Sequence, residues 1–204
     1  MVTNMSIFVG KIAPDFNTSV VLPNNQIKED FNLKSFVSGR NCVLMFYPLN
    51  FTFVCPSEII SLNNKLLEFE KRNCVVMTIS VDSHFSHLAW KNTPVSEGGI
   101  SNVQFIMVSD LNRAISKSYN VLNEGGIAMR GTFIIDKNFI LRHFSVNDLA
   151  IGRNIDENLR ILDAIAYNEQ YGDGCPAGWH KGKPSMKQTA DGVKDFLSKN
   201  ADLL

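Results

Sequence analysis

The chain has 204 residues, 45% of them hydrophobic and 20% charged, and twenty Lys and Arg balance twenty Asp and Glu for a formal net charge of zero. These proportions exclude a disordered chain, and the length suits one domain, or one domain with a tail. The neutral balance excludes the basic field of a dedicated nucleic-acid binder, and no run approaches the ~20 apolar residues of a membrane span.

The elements follow in chain order. Residues 16–22 and 26–30 flank the turn residues Pro23-Asn24-Asn25 and predict a hairpin. Residues 41–46 (NCVLMF) form a short, nearly uniform apolar run, the mark of a buried strand, and Pro48 ends it. After an aromatic loop, Ile59, Leu62, Leu66 and Phe69 lie at helical spacing and predict one helix over 56–71, with Pro56 suited to its first position and Glu58 to its first turn. A second buried strand follows over 74–81, then a short helix over 85–91, a strand over 104–108 and a helix over 112–119. Residues 133–136 and 139–144 read as antiparallel strands across Lys137-Asn138. Asn154, with Glu157 three positions on, opens a strong helix whose apolar face is Ile155, Leu159, Leu162 and Ala166. Alternating strands and helices predict an α/β layer fold with a mixed sheet. After Tyr171 the glycines and prolines break regular structure, save for a weak helix over 190–198. A core domain over 1–170 and a C-terminal arm over 171–204 are therefore expected, the arm long enough to wrap a second subunit.

The four cysteines are too few and scattered for a disulfide framework. The opening residues lack the basic start and apolar run of a signal peptide, so a cytoplasmic location, where thiols stay reduced, is expected. Cys42 and Cys74 sit inside apolar strand runs and read as buried filler. Cys55 stands at the junction of the aromatic loop and the helix. A free thiol is only slightly ionised at neutral pH, and a helix N-terminus favours the anion, with the N–H groups of Ser57 and Glu58 as the expected donors. The alternative is a cysteine that merely fills the turn. Cys175, among glycine and proline, is expected on an exposed, mobile loop, where chemistry explains a cysteine better than packing does. Trp179 nearby reads as a packing anchor. No CxxC pair or shared His/Cys ligand spacing favours a metal, and His84 and His87 read as a solvated pair. A Cys/His hydrolase stays open, although nothing selects its histidine.

The segment Phe46-Tyr47-Pro48-Leu49-Asn50-Phe51-Thr52-Phe53-Val54-Cys55-Pro56-Ser57-Glu58 resembles the active-site signature of the peroxiredoxins. Gly174-Cys175-Pro176-Ala177-Gly178-Trp179 resembles the resolving-cysteine loop of their typical two-cysteine branch, the alkyl hydroperoxide reductase C group. Further matches are Val81-Asp82-Ser83, Trp90, Val108-Ser109-Asp110, the run Arg130 to Asp136, and Gly152-Arg153, so the resemblance covers about 12–198.

The resemblance implies a thioredoxin-like fold over 1–170 and an antioxidant, thiol-dependent peroxidase that reduces hydrogen peroxide and organic hydroperoxides. In that reading Cys55 is the peroxidatic cysteine, Pro48 shields it, and Thr52 and Arg130 hold the thiolate and the peroxide. Glu58 and Arg153 support Arg130. Cys175, on the arm, resolves the Cys55 sulfenic acid across a dimer interface. The partners implied are a second copy in a homodimer, five such dimers in a ring, and thioredoxin or a flavoprotein disulfide reductase as electron donor. No cofactor, metal, nucleic acid or membrane is implied. A peroxide sensor or holdase chaperone on the same scaffold is the alternative. Asn50 and Ser57 stand where many members have Asp and Thr. Gly98-Gly99-Ile100-Ser101 and Phe196-Leu197 stand where members sensitive to overoxidation carry Gly-Gly-Leu-Gly and Tyr-Phe, so relative resistance is expected.

Overall fold

The computed structural model describes residues 7–204. Its chain divides into two compact units, Met1–Ile155 and Asp156–Leu204. The division falls at the start of a long helix rather than at 170/171, because that helix groups with the segment that follows it.

The first unit is built on a seven-stranded mixed sheet. A hairpin of β1 (Asn17–Val21) and β2 (Ile27–Asn32) is followed by helix α1 (Leu33–Val37) and strand β3 (Asn41–Phe46). Helices α2 (Cys55–Asn63) and α3 (Leu66–Glu70), strand β4 (Cys74–Ser80) and helix α4 (His84–Asn92) come next, then β5 (Ile106–Ser109), α5 (Ala114–Ser118), β6 (Arg130–Ile135) and β7 (Leu141–Asn147). The strand order is β2-β1-β5-β4-β3-β6-β7, with β3, β4 and β5 parallel and the other pairings antiparallel.

The central strands are buried on both faces, which is why their sequences read as unbroken apolar runs. Alternation along β3 sends Cys42, Leu44 and Phe46 into one core with Met77, Ile79, Val108, Phe133 and Ile135, closed by Leu33, Val37, Ile115 and Tyr119. Both Cys42 and Cys74 are buried and unpaired. Burial pushes the Cys42 thiol well up and that of Cys74 to about 12, so neither is primed as a nucleophile.

The single helix expected over 56–71 is two. Asn64 closes α2, its N–H meeting the carbonyls of Ile60 and Leu62, and the Asn63 side chain accepts from the Gln104 N–H at 2.8 Å. Consecutive asparagines compete with the helical ladder in this way. Helix α1 is too short for a periodic signal; the Asn32 side chain caps it, accepting from Ser35 N–H at 2.7 Å.

The second unit holds α6 (Ile155–Tyr171) from Asp156 onward, a loop, and α7 (Ala190–Asn200). Its loop is pinned rather than loose. Gly174 pairs with Met186, and Trp179, buried, lies 4.9 Å from the Tyr167 ring. Ser185 links Tyr167 to Asp173 at 2.9 and 2.8 Å. Among the described residues no helix is long and apolar enough to cross a membrane.

Candidate active site

The site forms where β3 runs out. Tyr47 still donates its N–H to Ile79 in the next strand, and buried Pro48, which has no N–H to offer, turns the chain away. The loop 48–54 then crosses the end of the sheet, with Phe51 at φ 53°, its ring 5.8 Å from that of Trp90. Cys55 is the first residue of α2, which thus begins one residue before Pro56.

Two donors converge on the fully buried Cys55 Sγ. Thr52 Oγ1 lies 3.0 Å away and Arg130 Nη1 3.4 Å. The Thr52 hydroxyl has a second acceptor, the Leu49 carbonyl at 2.8 Å, so its one proton is shared between them. Ser57 and Glu58 do not play the part expected of them: their N–H groups point at the Val54 carbonyl, at 3.1 and 3.4 Å. The helix start supplies position, and the donors come from the loop and from β6.

Arg130 reaches Cys55 because β6 pairs antiparallel with β3, and Arg130 lies two residues beyond the Met45–Thr132 pair, level with the end of β3. Its guanidinium is aimed by three acceptors. Nε donates to the Leu149 carbonyl at 2.8 Å, and Nη1 donates to Glu58 Oε2 at 2.6 Å as well as to Sγ. Glu58 sits three residues after Cys55, so both project from one face of α2. Its carboxylate is buried and accepts from Arg153 as well: Nε at 2.8 Å, the backbone N–H at 3.0 Å and Nη2 at 3.1 Å. Arg153 is in turn tied to the Gly131 carbonyl at 2.7 Å. Two guanidiniums thus face one carboxylate, and the surplus positive charge lies against Sγ. An anionic sulfur or peroxide oxygen there completes the balance, through bonds stronger than neutral ones.

The structure brings together Thr52, Cys55, Glu58, Arg130 and Arg153, and Pro48 lies buried at the head of the loop that carries Thr52. Cys175 belongs to the second unit. It is half-buried rather than exposed, its Sγ lies 3.6 Å from the Ala164 carbonyl, and it forms no disulfide. Burial raises its pKa, Arg160 opposes the shift and Asp173 reinforces it.

His87 is buried, not solvated as the sequence suggested. It faces the inside of α4 one turn before Trp90, and it touches Tyr47 and Asn50 of the catalytic loop. Burial lowers its pKa to about 4. The only sequence signal was the His87-Trp90 spacing, which marks a buried face as readily as a ligand pair.

A fold of this order, with a cysteine at the start of α2 held by a threonine and an arginine, defines a thiol-dependent peroxidase. The AhpC/TSA family profile matches residues 9–144, and that of the C-terminal domain of 1-Cys peroxiredoxin matches 164–199. The chain is 47% identical over 195 residues to alkyl hydroperoxide reductase C of Helicobacter pylori, covering 96% of this chain and 98% of the relative. It is 47% identical to peroxiredoxin-1 of Gallus gallus, covering 94% and 96%. The reduced 2-Cys peroxiredoxin of Plasmodium vivax superposes with a TM-score of 0.92 at 49% identity, over 95% of this chain and 100% of that one. The chain belongs to the AhpC/TSA family, and it is an antioxidant peroxiredoxin of thioredoxin-like fold.

Proposed function

We propose that Cys55 is the peroxidatic nucleophile of this enzyme and Cys175 its resolving partner. The observation that carries the first assignment is the convergence of Thr52 Oγ1 and Arg130 Nη1 on Cys55 Sγ. The thiolate attacks one peroxide oxygen, the O–O bond breaks, and the departing oxygen leaves as water or an alcohol after taking a proton. Thr52 and Arg130 stabilise the charge developing on the oxygens, a role worth most in a buried, preorganised site. Pro48 walls the sulfur from bulk water, while Glu58 and Arg153 keep the Arg130 guanidinium on target.

The sulfur is left as a sulfenic acid. The Cys175 thiol attacks it, water leaves, and a disulfide forms. A dithiol then restores both thiols by exchange. We place this cycle in the cytoplasm, with thioredoxin or a flavoprotein disulfide reductase as donor. We take Cys175 to come from a second copy of the chain, the arm over 171–204 carrying it across a homodimer, with rings of five dimers as the larger assembly.

A non-reducing gel tests the pairing: peroxide should convert the monomer band to a dimer band. Cys55→Ser should abolish peroxide consumption, and Cys175→Ser should allow one turnover and no recycling. Sustained thioredoxin-supported turnover by Cys175→Ser would overturn the assignment of Cys175, and turnover by Cys55→Ser that of Cys55.

A further inference from the structure

Behind the catalytic loop lies a buried polar cluster that the peroxide chemistry does not use. Asn50, 7% exposed, stands in the loop between Pro48 and Cys55. Its backbone N–H donates to Asp82 Oδ2 at 2.9 Å, and its side-chain Nδ2 donates to Ser86 Oγ at 2.9 Å. The Tyr47 hydroxyl donates to Asn50 Oδ1 at 2.7 Å. His87, with no exposed surface, closes the cluster: Nε2 lies 3.1 Å from the Val108 carbonyl, and Nδ1 lies 3.1 Å from Asn50 Nδ2.

The proton positions follow from this geometry. A carbonyl only accepts, so Nε2 carries the proton that meets Val108. Tyr47 spends its single proton on Asn50 Oδ1. Asn50 Nδ2 has two protons, one for Ser86 and one for Nδ1. With Nδ1 unprotonated, every group of the cluster is satisfied. A protonated ring would set its Nδ1–H against the Asn50 Nδ2 protons at 3.1 Å, with Asn50 Oδ1 at 3.2 Å and the Tyr47 hydroxyl oxygen at 3.3 Å as the acceptors left to it. It would also bring a full charge into a buried site where, among the described residues, no carboxylate is hydrogen-bonded to the ring. The ionisable groups facing it are Asp82, engaged by Ser80 and the Asn50 N–H, His84 on the same helix, and the Tyr47 phenol.

We propose that Asn50 is a positioning residue for the peroxidatic loop: its amide fixes His87 as the neutral, Nε2-protonated imidazole, and the resulting uncharged latch holds residues 47–54 over Cys55 unchanged from about pH 5 to pH 8. The neutral ring agrees with its lowered pKa. The choice of amide over acid is decisive. An aspartate at 50 has no proton to offer Nδ1, and its carboxylate, nearer to the Tyr47 hydroxyl at 2.7 Å than Nδ1 is at 3.3 Å, keeps the Tyr47 proton as well; the pair is then best satisfied by an imidazolium, and the latch titrates. The proposal rests on Cys55 as the reacting sulfur, but its first readout does not.

The test compares wild type with Asn50→Asp and Asn50→Ala. Side-chain nitrogen NMR of the reduced enzyme should show wild-type His87 neutral and Nε2-protonated from pH 5 to 8, and the ring of Asn50→Asp protonated at pH 6. A protonated wild-type ring at pH 7 overturns the proposal whatever Cys55 does. The single-turnover rate with hydrogen peroxide should gain an inflection between pH 6 and 9 in Asn50→Asp that wild type lacks. Asn50→Ala should be slower by about tenfold at all pH values, as expected for lost neutral hydrogen bonds. If Asn50→Ala does not fold, the Asn50→Asp profile decides alone: superposition on wild type sinks the proposal.

Discussion

Replacing Arg130 by methionine keeps most of the side-chain volume and removes the guanidinium from Cys55 Sγ. The structure allows its two consequences to be separated. For catalysis, one charge-assisted donor at 3.4 Å is lost while Thr52 at 3.0 Å remains. Loss of one such preorganised donor costs on the order of 10²–10³-fold in rate, about 2.7–4 kcal/mol. For stability, Glu58 is not orphaned, because Arg153 still supplies three hydrogen bonds to its carboxylate. The loss should therefore stay below the ~3–5 kcal/mol that follows breaking a buried ion pair outright. Glu58→Gln is the contrasting case. It leaves two guanidiniums, 4% and 5% exposed, without their shared anion, and should incur that full loss. Stopped-flow mixing of pre-reduced enzyme with hydrogen peroxide gives the rate, and urea melts give the stability. A folded Arg130→Met enzyme slowed by less than about tenfold, ~1.4 kcal/mol, would refute the role given to Arg130.

Thr52→Val removes the other donor and should slow the same step on the order of tenfold to a hundredfold, while Thr52→Ser, which keeps the hydroxyl, should stay close to wild type. The pKa of His87, lowered from 6.5 to about 4, makes the unfolded chain the better proton binder between those values. Stability present above pH 6.5 is therefore lost as pH falls toward 4, on the order of 3 kcal/mol from this group, and urea midpoints should show a shallower acid slope in His87→Gln. An unchanged slope would remove His87 as its source. Ser101 after Gly98-Gly99-Ile100, and Phe196-Leu197 in α7, predict resistance to overoxidation. Mass spectrometry should find little Cys55 sulfinic acid during turnover as peroxide rises, and inactivation at low peroxide would contradict this.

Strand β3 was legible to the residue, and β4 and the β1–β2 hairpin nearly so, because a strand buried on both faces must be apolar throughout and a hairpin needs its turn residues. The helix break at Asn64-Lys65 was not, since the apolar spacing continues across it while the Asn63 side chain is claimed by Gln104, forty-one residues away. Likewise Cys55 announced itself through its own neighbours, but the source of its donors did not. A local reading assigned them to the N–H groups of Ser57 and Glu58, which instead close the first turn onto Val54.

Local sequence was enough for the succession of strands and helices apart from α1 and the α2–α3 break, for the cysteine placed at a helix start, and for the residue types gathered around it. Tertiary structure alone decided which groups meet. Antiparallel pairing of β6 with β3 delivers Arg130 to a sulfur seventy-five residues back, and Arg153 reaches Glu58 across ninety-five. It also decided that His87 is buried and neutral and that Cys175 is half-covered, because burial and charge balance depend on what packs against a side chain, and periodicity along the chain carries no record of that.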